Sequence, residues 1–484
     1  MRERFDLQMK IGQTAISEIY VDPKSKNALD HLIVALKEIY CNKEYNEKIF
    51  RIIEKYMPKV NNHNGRPGMN LWTIFVLGQV RMCLGYSYDM LHHQANNDRL
   101  LRQLLGIVDE YELERFTFEY QNIYDNVSKL SEPMLLEIND VIVSFGHKEV
   151  FKKKENTALH LKTDSFVVES NVHFPTDYNL LWDCNRKCLA IVGHFLEKYP
   201  DINGWRKIKN WRFELKGLMR EVGKVSKSGG KNKEEKLRTV TTLYLDKSRL
   251  LQIKLKAEKI FFPIHDEIDL GRLYTLEYYM CLADKHIDLV ERRILKGEII
   301  PHEEKTMSIF EEYTEWIVKG KFYPFVELGK ILSITTDQYH LILLHKVLNG
   351  QRDKDIVIEV ADKLLHKYKL IASMSFDKGH WNKENKALLE LEIPRVILPK
   401  LGKLTAEEKE LEKSKPFKQL KNKHSAIESN INELEHRGLD HCPDRNYFHF
   451  CTYIAMGVCA YNLKKIGKKI LENQLNELRS KEAA

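Results

Sequence analysis

The segment 159–171 constrains the fold most, because it has the pattern of a β-strand with a carboxylate in its middle. β-Branched and aromatic residues dominate it, and apolar and polar residues partly alternate. Asp is rare in strands, since its side chain competes for backbone hydrogen bonds and its charge resists burial. Asp164 is therefore either part of a frayed sheet edge or a rigidly held ligand for a divalent metal ion.

Length and charge favour a soluble globular protein with several domains. A chain of 484 residues should form about two to four domains. The net charge of +8 indicates a polyanionic partner only weakly. The eight cysteines include no CxxC pair, which argues against a structural zinc site. Because no disulfide framework or signal peptide is apparent, we expect the protein to be located in the reducing cytoplasm. The apolar stretch 447–463 is better explained as a buried core helix than as a membrane span.

Residues 1–150 are predicted to form a helical N-terminal domain. Apolar residues at helical spacing cover 27–56, and a strongly apolar helix follows over 71–84. Gly85 can end that helix and Ser87 can cap the next one. Short helices joined by tight turns, including a polar turn at 61–68, are compatible with a DNA-binding helix-turn-helix fold, although any small helical bundle looks similar.

Residues 185–320 show mostly long helical patterns and almost no strand, so we expect a helical insertion domain there. Before it, Asp177 or Thr176 can cap a helix, and Asp177 could alternatively bind metal. Basic residues with two tryptophans among them form the best candidate for contacts to DNA phosphates. The alternative is a solvated helical face whose tryptophans pack inward. The proposed DNA-binding residues are Trp205, Arg206, Lys207, Lys209 and Arg212.

Strand patterns return after the insertion and alternate with helices. This order predicts an α/β core over 151–184 and 321–445, with a mixed five-stranded sheet and flanking helices. A lysine- and glutamate-rich arm at 401–423 and a long C-terminal helix at 446–484 complete the chain. The strands are expected at 159–171, 331–337, 340–348, 370–376 and 395–399, and the helices at 355–367, 383–389 and 425–436.

Three carboxylates stand at positions where this sheet could bring them together. Asp164 lies on the first strand, Asp377 at the carboxyl end of the fourth, and Glu428 on a later helix. If the first and fourth strands are neighbours, the two aspartates meet. Converging carboxylates repel each other unless cations neutralise them, and Mg²⁺ or Mn²⁺ is the natural occupant. Two such ions can support in-line phosphoryl transfer on nucleic acid.

Three stretches, TDSFVVESNVHFPTD, SFDKGHWNKEN and HSAIESNINELEHRGLDHCPD, resemble the DDE transposases of bacterial insertion sequences, most closely the group labelled ISNCY. The N-terminal stretch GRPGMNLWTIFVLGQVRMCLGYSYDML extends the resemblance to most of the chain. It implies an RNase H-like catalytic core, dependence on Mg²⁺ and terminal inverted-repeat DNA as the substrate. The catalytic, metal-binding positions that it implies are Asp164, Asp377 and Glu428.

One departure from the family pattern bears on the chemistry. Related transposases carry a Tyr and an Arg before the Glu and a Lys after it, which handle DNA phosphates and hairpin ends. Here Lys421 and His424 stand upstream and could still contact phosphate, whereas Glu435 takes the Lys position. Glu435 is either structural or a fourth carboxylate. Trp381 is more readily a core residue than a stacking platform for a displaced base.

The resulting hypothesis is a transposase, an enzyme that cleaves double-stranded DNA at transposon ends and joins the 3′-hydroxyl to target DNA. It would act as a homodimer, because two ends must be held together, and in the cytoplasm at the nucleoid. Two alternatives stay open. One is a domesticated sequence-specific DNA-binding protein, and the other is an RNase H-like nuclease that hydrolyses DNA without strand transfer.

Overall fold

The computed structural model describes residues 3–5, 11–57, 68–108, 115–318 and 325–482. The chain divides into two compact units. The first comprises Met1–Asn171 and Ile317–Ala484, and the second comprises Val172–Trp316. The N-terminal helices, the sheet and the C-terminal helix therefore belong to one unit. The second unit begins earlier in the chain than the insertion predicted at 185–320.

A mixed six-stranded sheet with flanking helices forms the centre of the first unit, which confirms the expected α/β architecture. The predicted number of five strands was wrong. The additional strand, β2, lies inside the segment predicted to be helical, and its four residues are too few to show a period-two pattern. The strands are β1 (Leu159–Glu169), β2 (Glu315–Val318), β3 (Val326–Thr336), β4 (Ile342–Val347), β5 (Ile371–Phe376) and β6 (Val396–Ile397).

The order of the strands is β2-β3-β1-β5-β6, and β4 pairs with the carboxyl-terminal half of β3. β1 runs antiparallel to β3 and parallel to β5, and β5 runs parallel to β6. β1 is central and is covered on both faces, since Val167 and Val168 are both buried although they point to opposite sides. The first and fourth predicted strands are thus neighbours, as expected.

In the described part of the N-terminal region, seven α-helices precede the sheet, and local capping explains several of their ends. The region predicted as one helix over 27–56 is broken at Asn42, whose side chain caps the second helix. Gly85 ends α3 with a left-handed φ of 64°, and Ser87 caps α4, as predicted. Most of the polar turn at 61–68 lies outside the described residues. The helices are α1 (Ala28–Cys41), α2 (Lys43–Tyr56), α3 (Leu71–Leu84), α4 (Tyr88–Asn97), α5 (Arg99–Leu104), α6 (Tyr120–Val127) and α7 (Glu132–Phe145).

Four long helices form the second unit around their own apolar core. They are α8 (Asp177–Lys198), α9 (Ile208–Lys227), α10 (Lys233–Glu258) and α11 (Glu267–Val290). In the first unit, five helices lie between β4 and the last helix. They are α12 (Asp353–Lys367), α13 (Lys383–Glu392), α14 (Ala406–Lys413), α15 (Lys415–His424) and α16 (Ala426–Leu434).

The last helix, α17 (Tyr447–Glu482), packs against α1, α3 and α7. Its buried Asn462 accepts a hydrogen bond from the Ile342 amide at 2.8 Å and donates one to Asn139 at 2.8 Å. These bonds satisfy polar groups inside the core and tie α17 to β4 and α7. Among the described residues, no helix combines the length and apolarity needed to cross a membrane.

Candidate active site

Parallel pairing of β1 with β5 brings two of the three predicted carboxylates together. Thr163 lies opposite Phe376 in the register, so the next residues, Asp164 and Asp377, are neighbours. The negative charge of Asp377 raises the pKa of Asp164, which shows that the two carboxylates lie within electrostatic reach. Two positions far apart in the sequence therefore share one edge of the sheet.

Asp164 is the more protonated member of this pair. Its pKa is raised to about 6, mainly by burial and also by the charges of Asp377 and Asp353, whereas a hydrogen bond from the Ser165 amide at 2.8 Å opposes this shift. A carboxyl group with such a pKa holds a proton more readily than an exposed aspartate does. A divalent cation would displace that proton and relieve the repulsion.

Asp377 is the more ionised member. It directly follows β5 and precedes a short 3-10 turn, Lys378–His380. The His380 ring nitrogen Nδ1 hydrogen-bonds Oδ1 of Asp377. Burial raises the pKa of Asp377, but the hydrogen bond and charge of His380, together with backbone N–H groups, outweigh burial and leave the pKa below its usual value.

A third carboxylate, Asp353, lies beside the pair and was not found from the sequence. It is the first residue of α12, and its Oδ1 is buried without a hydrogen-bond partner among the described residues. A Cβ at Gly379 would lie 3.3 Å from both carboxylate oxygens of Asp377 and 3.6 Å from Oδ2 of Asp353. The absent side chain at Gly379 thus leaves a small space between two carboxylates. An acidic residue in the first turn of a helix is ordinary, so the sequence gave no signal for this role.

The third predicted ligand, Glu428, is not part of this group. It is exposed on α16, a helix that packs against β1, whereas the preceding residue Ile427 is buried. Across the described ranges, no three His, Cys, Asp or Glu side chains are close enough to hold one metal ion. The structure therefore unites Asp164 and Asp377 and leaves Glu428 on an adjoining helix.

His424 lies close to the pair, but it is uncharged. Its Nδ1 is 3.0 Å from Oγ of Ser375, on β5. Burial lowers its pKa to about 4, and Asp377 opposes that shift only in part. A neutral imidazole can donate a hydrogen bond to a phosphate oxygen, but it cannot supply the positive charge that a phosphate contact usually uses. Lys421, one turn earlier on α15, is exposed.

The remaining candidates of uncertain role have local partners. Thr176 caps α8, and Asp177 pairs with Arg293 at 2.7 Å. Lys386 Nζ lies 5.8 Å from the ring of the partly buried Trp381. Glu435 begins a π-helical turn, Glu435–Leu439, so the regular helix that carries Glu428 ends before it.

In the second unit, the predicted DNA-contact residues divide into two groups. Trp205 is only 2% exposed and belongs to the apolar core, with Lys254 Nζ at 4.7 Å from its ring. It cannot stack on a nucleotide in this conformation, so grouping it with the contact surface was wrong. The four basic residues are exposed and form what we call the basic surface: Arg206, Lys207, Lys209 and Arg212.

The chain was compared with protein families, curated proteins and solved structures, and none of them matches it. The chemistry of the site must therefore be judged from its own residues. Carboxylate oxygens are the ligands that Mg²⁺ and Mn²⁺ prefer. The unpartnered oxygen of Asp353, the mutual repulsion of Asp164 and Asp377 and the space at Gly379 all fit a hard divalent cation.

Proposed function

We propose that this chain is a DDE-type transposase that cleaves double-stranded DNA at transposon ends and joins the freed 3′-hydroxyl to target DNA. The observation that carries the proposal is the register of β1 with β5, which makes Asp164 and Asp377 neighbours. Their electrostatic repulsion favours a divalent cation between them. The motifs around Asp164, Asp377 and Glu428, which resemble those of insertion-sequence transposases, supply the reaction class.

The sheet supports the finer assignment of an RNase H-like core. The antiparallel strands β4, β3 and β1 continue into the parallel strands β5 and β6, and helices flank them. This arrangement is compatible with such a core. It also places Asp164 on a strand and Asp377 directly after one, where a carboxylate keeps its orientation better than it would in a long loop.

Asp164 and Asp377 would hold Mg²⁺ or Mn²⁺, with Glu428 contributed by α16. When bound, two such ions activate the attacking hydroxyl or water and stabilise the leaving oxygen. The residues of the chain supply orientation and charge. Asp377, whose pKa lies below its usual value, is ionised at neutral pH, and Asp164, with a pKa of about 6, is mostly ionised there, so both could serve as ligands. The exposed cations of the basic surface and Lys421 would hold the DNA backbone.

The direct test is nicking of a duplex that carries an inverted-repeat end of the element, in Mg²⁺ or Mn²⁺. We expect cleavage by the wild type and none by Asp377→Ala. Cleavage that survives this substitution would refute the site. The same preparation should bind two ends as a homodimer, which sedimentation of the protein with end DNA would measure.

The two alternatives are outcomes of a second assay. A precleaved end is incubated with a supercoiled target plasmid, and joined product is scored on a gel. Joined product supports a transposase, and hydrolysis without joining indicates a nuclease on the same core. Sequence-specific binding without either reaction indicates a domesticated DNA-binding protein.

A further inference from the structure

His380 is a buried side chain at the site that contacts a proposed metal ligand without being one itself. The side chain of His380 is 0% exposed, whereas that of its partner Asp377 is 46% exposed. The Nδ1 atom of His380 hydrogen-bonds Oδ1 of Asp377. Nε2 is buried and has no hydrogen-bond partner within the described part of the chain. The fully buried imidazole of His380 therefore makes its hydrogen bond to a carboxylate that is partly exposed to solvent.

The surroundings of His380 fix its ring. It ends the 3-10 turn Lys378–His380, which is closed by a hydrogen bond from the Trp381 amide to the Lys378 carbonyl at 3.2 Å. Its ring centroid lies 5.4 Å from that of Phe376, the last residue of β5. The imidazole is therefore held by the end of a central strand and by a tight turn.

The Nδ1 atom of the His380 ring carries a proton. A carboxylate oxygen accepts hydrogen bonds, so the Nδ1 atom is the donor to Asp377. The other titratable groups at this corner of the site are Asp164, Asp353 and the uncharged His424.

We propose that His380 is a positioning residue for Asp377. By donating from Nδ1 to Oδ1, it fixes the rotation of the carboxylate, so that Oδ2 is the oxygen offered to a cation shared with Asp164. Without this bond, the partly exposed Asp377 side chain would lose rotamer entropy on binding the cation, which would weaken binding. Groups that orient a metal-binding side chain in this way typically contribute about 10–100-fold to metal affinity. The inference rests on the proposed function, because it takes Asp377 as a metal ligand.

Three substitutions at His380 separate the effect of hydrogen bonding from that of packing. His380→Asn can place an amide N–H near the position of Nδ1, whereas His380→Gln places it nearer the position of Nε2. His380→Phe fills the volume without a donor. His345→Asn is the matched control, since His345 is a buried histidine of the same unit, on β4, with no bond to a candidate ligand.

Mn²⁺ affinity is measured by calorimetry and by Mn²⁺-dependent thermal stabilisation, and nicking rates are measured against Mn²⁺ concentration. We expect His380→Asn and His345→Asn to bind Mn²⁺ within a few-fold of the wild type. His380→Gln and His380→Phe should bind about 10–100-fold more weakly, with the rate at saturating Mn²⁺ recovered more fully than the affinity. The free energy of unfolding, measured without metal, shows separately how much each substitution disturbs packing.

Equal Mn²⁺ affinities for the Asn and Gln variants would overturn the inference, and so would wild-type affinity in the Phe variant. If His380→Phe does not fold, the Asn and Gln variants still decide the question. A wild type that binds no Mn²⁺ overturns both the proposed metal site and this inference. A wild type that binds Mn²⁺ but does not cut DNA overturns the proposed function, while the Asn–Gln difference still tests the inference.

Discussion

Glu428 differs from the two aspartates in how it is held. Asp164 and Asp377 lie on and directly after strands of one sheet, and each has a perturbed pKa, whereas Glu428 is exposed on α16. Binding of the first cation should therefore depend on the aspartates. Completion of the site should depend on the glutamate, which must supply its carboxylate from a helix.

This difference gives a prediction for single substitutions. We expect Asp164→Asn to weaken Mn²⁺ binding by about tenfold or more and to abolish nicking. Glu428→Gln should abolish nicking while it leaves binding of the first Mn²⁺ within a few-fold of the wild type. Calorimetric titration with Mn²⁺, paired with a nicking assay, measures both. Full nicking activity in Glu428→Gln would remove Glu428 from the site.

The space between Asp353 and Asp377 depends on Gly379. A Cβ there would lie 3.3 Å from the Asp377 carboxylate, which is closer than ordinary van der Waals contact. We expect Gly379→Ala to lower Mn²⁺ affinity and nicking about tenfold or more, with a change in unfolding free energy of about 1 kcal/mol or less. Gly193→Ala on α8 is the control, because nothing lies within 4 Å of its Cβ. Wild-type Mn²⁺ affinity in Gly379→Ala would show that this space is not used.

At this scale the sequence predicted some residues of the site and missed others. It indicated Asp164 and Asp377, because an acidic residue in or directly after an apolar strand is unusual. It could not indicate Asp353 or His380, since a helix-start aspartate and a single histidine are common and only the three-dimensional arrangement brings them to Asp377. Nor could it show that Trp205 points inward, because this residue lies in the loop before α9, outside any periodic apolar pattern.

The helices α1 and α17 approach each other closely at Gly467. A Cβ on this residue would lie 1.7 Å from the carbonyl oxygen of His31, which is backbone and cannot turn away. Gly457, on the same helix, would meet only the Leu439 side chain, at 3.0 Å. The first contact requires the helices to separate, whereas the second requires only a shift of a flexible side chain.

We therefore expect Gly467→Ala to destabilise the first unit by about 3 kcal/mol or more and Gly457→Ala by about 1 kcal/mol. Urea unfolding followed by circular dichroism measures the two free energies. Both substitutions replace glycine in one helix, so the gain in helix propensity is the same for each. Equal stabilities of the two variants would show that α1 and α17 do not pack this closely.

In the second unit, α11 contains a histidine that must remain neutral. His286 is fully buried, and neither ring nitrogen has a hydrogen-bond partner among the described residues. Burial lowers its pKa to about 4, although Asp177 and Asp183 oppose the shift. The unfolded chain therefore binds a proton below pH 6.5 that the folded unit does not bind, and stability falls as the pH falls toward 4.

His286→Leu should remove this acid sensitivity. Between about pH 7.5 and about pH 5, we expect the wild type to lose about 2 kcal/mol more unfolding free energy than the variant. Urea unfolding followed by the fluorescence of Trp182, Trp205 and Trp211 reports mainly on this unit. His194→Leu, at an exposed histidine, is the control. An identical pH dependence in His286→Leu and the wild type would contradict the buried, neutral state.

The elements were predicted well where local chemistry defines them. The caps at Gly85 and Ser87 and the long apolar α3 follow from single residues and a clear pattern. β2 was missed because its four residues are held by pairing with β3, a partner whose contribution is not visible in the local sequence. The break at Asn42 was missed because apolar periodicity continues on both sides of it.

For the whole molecule, positive charge is the feature most relevant to DNA. The net charge is +8, and the basic surface lies on the second unit. We expect Arg206→Glu with Arg212→Glu to lower duplex affinity about tenfold or more at low salt and to reduce the slope of log K against log salt. Lys24→Glu with Lys26→Glu, at exposed lysines of the first unit, is the charge-matched control. Fluorescence anisotropy over a salt series measures both. Equal losses in the two double variants would indicate a general effect of charge.

The parallel pairing of β1 with β5 also dictates when the carboxylate pair can first exist. Asp164 is synthesised early, but its neighbour is residue 377 of 484, and all of the second unit is translated between them. A chain still emerging from the ribosome therefore carries a lone aspartate on an incomplete sheet. Any reaction that needs both carboxylates must wait until residue 377 has been synthesised, so translation products that stop before this residue lack the pair.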